Sequence, residues 1–79
     1  MENPILLTKA ALRKKLKIVQ LLGGPEATAR LLEMGLVRGT HLKVIKNDAF
    51  GPLILAIGHN RLAIGRGLAE KIQVIETHE

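Results

Sequence analysis

The sequence contains no cysteine, no serine, no tryptophan and no tyrosine, and it has a single phenylalanine. Without cysteine there is no disulfide and no thiolate metal site, a composition that a cytoplasmic protein tolerates. Cysteine and serine nucleophiles are therefore missing, and a threonine with a histidine base is the hydroxyl alternative. With one aromatic side chain the sequence is poorly suited to stacking successive bases or to lining an aromatic groove for proline-rich peptides. Long apolar runs are missing too. The longest, Leu53–Ile57, stops at Gly58, well short of the roughly 18 residues that cross a bilayer. The chain opens on Met-Glu-Asn-Pro, an acid and a proline where a secretory signal carries basic residues, so no export signal is expected.

What is present is a chain of 79 residues, 47% hydrophobic and 24% charged. This length and balance imply one compact domain over residues 1–79, burying only about 60% of the surface that its unfolded form exposes. Twelve Lys and Arg against seven Asp and Glu give a net charge of +5 and a pI near 10.1. A polyanion, an acidic protein face or a membrane surface are the partners such a charge attracts, while solubility alone is the plainer reason for it.

Along the chain, residues 1–6 show no periodicity and are expected to be loose, with Thr8 capping a short helical turn over residues 9–12. The one concentrated charge run, Arg13-Lys14-Lys15 with Lys17, leads into a strand over residues 16–22. Alternation there puts Leu16, Ile18 and Gln20 on one side and Lys17, Val19 and Leu21 on the other. A basic amphipathic helix over residues 5–17 is the rival reading, but its apolar residues do not hold one stripe. Gly23-Gly24 ends the strand, Pro25 suits the first helical position, and Glu26 complements the dipole of a helix over residues 25–34. Ala27, Leu31, Leu32 and Met34 are read as its apolar face, Arg30 and Glu33 as its solvent side. Gly35 closes the helix and Leu36 anchors the exit. Val37-Arg38-Gly39-Thr40 is a turn with glycine where positive φ is needed.

A strand follows over residues 40–46, then a loop from Asn47-Asp48 to Gly51-Pro52. Leu53–Ile57 reads as a strand apolar on both faces and covered on both. Gly58-His59-Asn60 makes a hairpin turn into a strand over residues 61–64. Residues 68–71 form a helical turn, residues 72–75 a last strand, and Thr77-His78-Glu79 are expected to fray. Five short strands and one helix after the first cannot build two buried sheets at this length. The expected fold is mainly β, a small, partly open, five-stranded SH3-like barrel.

No catalytic constellation emerges. His41, His59, His78 and Asp48 are scattered singly, so no metal site is expected, apart from a weak adventitious one at His78-Glu79. Gly23-Gly24-Pro25 precedes a helix, but Ala27-Thr28-Ala29 lacks the lysine and hydroxyl of a P-loop, and Gly65-Arg66-Gly67 lacks dinucleotide spacing. Met34 reads as core filler and the Arg13 to Lys17 run as a solvated face or a docking patch.

The run Arg30-Leu31-Leu32-Glu33-Met34-Gly35-Leu36-Val37-Arg38-Gly39-Thr40-His41-Leu42-Lys43-Val44 resembles the FeoA signature, a helix ending in Met-Gly-Leu or Leu-Gly-Leu, then Pro-Gly and a strand. Gly51-Pro52-Leu53, Leu62-Ala63-Ile64 and Ala69-Glu70-Lys71-Ile72-Gln73-Val74 resemble the family's later strands, so the resemblance covers about residues 6–76. Val37-Arg38 stands where the family has its usual proline, and Arg13-Lys14-Lys15 replaces the usual glycine near the first strand. Arg66 takes the place of an arginine after the fourth strand.

The resemblance implies a barrel similar to the SH3-like domain of DtxR-type repressors. It also implies a small cytosolic protein that binds and modulates FeoB, the membrane ferrous-iron transporter with a GTPase domain, without catalysis or cofactor of its own. The partner surface is then expected around Leu36 and Arg38, the basic run Arg13, Lys14 and Lys15, and Arg66. Arg38 or Arg66 is the candidate for an arginine supplied in trans to GTP hydrolysis. Two other classes remain open: a nucleic-acid-binding barrel, favoured by the charge, and a repressor-like regulatory or dimerisation module. The apolar strand Leu53–Ile57 also allows a homo-oligomer.

Overall fold

The structure, a computed structural model, describes residues 3–78. Six strands form one antiparallel sheet that bends around a core without closing: β1 (Ile5–Leu6), β2 (Leu16–Leu21), β3 (His41–Asn47), β4 (Leu53–Ile57), β5 (Asn60–Ile64) and β6 (Ile72–Glu76). The spatial order is β1-β6-β2-β3-β4-β5, with β2 joining the two halves of the sheet. A nine-residue helix α1 (Pro25–Glu33) follows β2, a four-residue α2 (Arg66–Ala69) precedes β6, and a 3-10 turn spans Leu7–Lys9. The mainly β, open architecture agrees with the sequence reading. The strand count is six rather than five, so the helix comes after the second strand. The additional strand is Ile5-Leu6, which pairs with Val74 and Gln73 of β6 and is too short to leave a periodic trace.

The core holds Leu7, Leu16, Ile18, Leu31, Leu36, Val44, Leu53, Leu55, Ile64, Ile72 and Val74, all at 1% exposure or less. Fully burying each such side chain is worth about 1.5–3 kcal/mol. Two bulges adjust which residues reach it. In β2 the register slips between Ile18 and Gln20, so beyond Val19 it is Leu21, not Gln20, that packs against the core. The same slip in β3 falls between Val44 and Lys46, at Ile45. An extra residue reverses the in-out alternation beyond it.

The helix stripe is Ala27, Leu31 and Met34, spaced i, i+4, i+7; Leu32 sits one residue off that stripe and is 61% exposed. Arg30 and Glu33 face solvent as expected. Thr8 caps no helix. Its carbonyl instead accepts a hydrogen bond from Asn47 Nδ2 at 3.0 Å. In β4, Leu53 and Leu55 are buried while Ile54, Ala56 and Ile57 are half-buried, so only one face of that strand is fully covered. The hairpin turn is the two-residue Gly58-His59, with Ile57 and Asn60 paired. Thr77 is held by its amide donating to the Lys15 carbonyl at 2.9 Å. Residues 1, 2 and 79, included in the expected loose ends and in the His78-Glu79 pair, lie outside the described residues.

Candidate partner-binding surface

The helix exit is fixed by the backbone. The Leu36 amide donates to Leu31 O at 2.8 Å and the Gly35 amide to Leu32 O at 2.9 Å, with Gly35 at φ +81°. These are the paired bonds of a Schellman cap, and the apolar contact that goes with them is made by Leu31 and Leu36, both fully buried. The turn that follows closes through Thr40 N to Val37 O at 3.1 Å, with Gly39 at φ +92° in the third position. The Thr40 hydroxyl accepts from the Val37 amide and donates to Gly35 O. Gly39 and Thr40 then tie the turn to Ile18 of β2 at 2.7 and 2.9 Å.

This geometry sorts the residues expected on a partner surface. Leu36, at 0% exposure, has no side-chain surface to offer, so its place in the expected interface is corrected to the core. Arg66 is engaged within the chain. It lies part-buried, its Nη2 donating to Asn47 Oδ1 at 2.7 Å, to Gly51 O at 3.2 Å and to the Asp48 carbonyl. That network clamps the β3–β4 loop to α2, and Arg66 Nε is buried without a partner. Arg13, Lys14, Lys15 and Arg38 are exposed. Arg38 stands beside Lys17 and Val19 of β2. Arg13 adopts φ +64°, with its amide donating to Val44 O at 2.8 Å. A glycine takes that conformation without strain, whereas an arginine there holds a left-handed backbone that L side chains rarely adopt.

Three residues that sequence reading left aside join them. Leu16 pairs with Leu42 on the inner face, so His41, paired with Lys17, points outward together with Lys43. Lys43 faces Ala56 on β4, and Ala56 faces Arg61 on β5, which sets two cations either side of a methyl group. Arg13, Lys15, His41, Lys43 and Arg61 thereby rim one open groove of about 550 Å³, floored by Ile45 and Ala56. Lys46 is drawn away to Asp48 at 3.4 Å, an exposed pair of little energetic weight. The signal for Arg61 lies in the sequence: a two-residue hairpin loop makes it the partner of Ala56. Among the described residues no group of three or more His, Asp or Glu converges to hold a metal ion.

The FeoA domain model matches residues 5–76. The chain belongs to the FeoA family. A provisionally named Fe(2+) transport protein A of Methanocaldococcus jannaschii is 49% identical over 51 residues, 65% of this chain and 61% of that protein. The chain thus spans less than two thirds of the length of this curated relative. The crystal structure of an iron uptake regulatory protein, FeoA, superposes with a TM-score of 0.87 at 33% identity, over 95% of this chain and all of that one. Stenotrophomonas maltophilia FeoA, crystallised with zinc and described as a prokaryotic SH3 domain protein, gives 0.69 at 27% identity, over 89% and 88% of the two chains. A manganese-dependent transcriptional repressor matches in fold alone, with a TM-score of 0.87 at 16% identity, over 98% of this chain and 44% of the repressor. The FeoA membership and the SH3-like fold therefore agree with the resemblance in the sequence, and no helix among the described residues is long and apolar enough to cross a membrane.

Proposed function

We propose that this FeoA-family chain is a cytoplasmic accessory protein of ferrous-iron uptake that docks on the cytosolic part of a FeoB-type transporter and modulates it. It performs no bond chemistry of its own. Family membership over residues 5–76 is the observation that carries this reading. Two further facts support it: the Stenotrophomonas protein is described as a suggested ferrous iron transport activating factor, and four cations of this chain, Arg13, Lys15, Lys43 and Arg61, line one groove. The docking surface comprises Arg13, Lys14, Lys15 and Arg38. Of the two arginines considered for a role in GTP hydrolysis, Arg38 is exposed, whereas Arg66 is committed to the loop clamp.

A pull-down of the cytosolic part of the transporter tests the reading. Retention by the unmodified chain, weakened by charge reversal at Arg13, Lys14 and Lys15 or at Arg38, is the expected result. No retention by the unmodified chain contradicts the role.

A further inference from the structure

We propose that the groove between β2, β3 and the β4–β5 hairpin is a binding site for an acidic polypeptide segment, gripped by Lys43 and Arg61 across Ala56. This deepens the reading above, on which the identity of the partner rests, by naming the site and its ligand chemistry.

Lys43, Ala56 and Arg61 lie opposite one another on three adjacent strands. Directly opposed residues on one sheet face keep their Cβ atoms about 4.5–5.5 Å apart, so the Cβ atoms of Lys43 and Arg61 lie roughly twice that distance apart with only the Ala56 methyl group between. Like charges so arranged repel each other, and an anion seated between them relieves the repulsion. His41 and Arg13 extend the same rim. No Asp or Glu lines the groove among the described residues. The rim therefore carries one sign of charge.

The floor selects among anions. Ile45 and Ala56 are half-buried, so an occupant meets apolar surface beneath the cations. An acidic peptide with intervening aliphatic side chains satisfies both. A nucleic acid finds phosphate partners but no aromatic ring on which to stack a base, since the one phenylalanine, Phe50, is not among the lining residues.

The probe is a short fluorescent peptide of alternating glutamate and leucine, titrated with the full chain and followed by anisotropy. Its counterparts are a lysine-leucine peptide, a single-stranded oligonucleotide and inorganic phosphate as competitor. Binding of the acidic peptide is expected to weaken with added salt and to fall about tenfold or more in the Lys43→Glu, Arg61→Glu double variant. Arg30→Glu, an exposed charge change on α1, is expected to stay within about twofold. A circular dichroism melt confirms that each variant folds; should the double reversal not fold, Lys43→Gln with Arg61→Gln takes its place, with the same direction of change expected.

Three outcomes overturn the proposal: no binding of the acidic peptide, equal binding by the double variant, or oligonucleotide bound in preference to peptide. A parallel pull-down separates the two levels of inference. If the cytosolic part of the transporter is retained equally by the wild type and the double variant, the groove assignment fails while the accessory role stands. If the acidic peptide binds the groove but the transporter is not retained, the accessory role fails while the groove assignment stands.

Discussion

The Leu36 amide reaches back 2.8 Å to the carbonyl of Leu31, and both side chains are wholly buried, so one pair of leucines ends the helix and seats it on the sheet. Leu36→Ala removes the apolar half of that cap and leaves a cavity, at an expected cost of about 2–5 kcal/mol. Gly35→Ala keeps the packing but forces a side chain into left-handed backbone, for about 1–2 kcal/mol. Urea denaturation followed by circular dichroism measures both, and a loss at Leu36 below the loss at Gly35 contradicts this account of the cap.

Arg13 supplies the opposite case. Its φ of +64° is held by the bond from its amide to Val44 O. Arg13→Gly is expected to stabilise the fold by about 1 kcal/mol, because removing left-handed strain outweighs the greater chain entropy of an unfolded glycine. The same variant weakens binding of acidic partners, as one rim cation is lost. A raised thermal midpoint together with reduced acidic-peptide affinity is the combined result to look for.

The turn after the helix offers a gain in rigidity. Arg38 occupies the second position of a turn whose third residue, Gly39, has φ +92°, and proline is favoured at that second position. Arg38→Pro should stabilise by about 0.4–1 kcal/mol through the unfolded chain. Since it also deletes an exposed cation of the proposed docking surface, the variant should melt higher yet be retained less well by the transporter.

Arg66 holds the β3–β4 loop by donating to Asn47, Asp48 and Gly51 from one nitrogen. Arg66→Lys keeps the charge but not the planar fork, and about 1–2 kcal/mol of local stability should be lost. Hydrogen exchange of the loop amides over residues 48–51 should quicken, while exchange in β2 and β6 stays as before.

Much of the frame was legible because glycine and proline announce it. Gly23-Gly24-Pro25 and Met34-Gly35-Leu36 bracket the helix, and Gly39 sets the turn; Gly35 and Gly39 adopt the positive φ that few other residues take. The bulges at Val19 and Ile45 were not legible, because inserting one residue alters no composition and shows only in which neighbour reaches the core. Leu36 was misplaced for a related reason: a turn is expected to be exposed, whereas a Schellman cap folds the second residue beyond its cap back onto the helix. The groove escaped notice because Lys43 and Arg61 are separated in the chain and meet only through strand pairing. Arg13 and Lys15 were found from their clustering, but the groove they rim was not.

The central claim is that the chain acts by docking its basic sheet face on a FeoB-type transporter. Isothermal titration of the purified chain into the transporter's cytosolic part tests it most directly. The account predicts saturable binding that weakens as salt is raised and falls about tenfold when Lys43 and Arg61 are reversed to glutamate. An absence of binding at low salt, or binding indifferent to both salt and those two reversals, contradicts it.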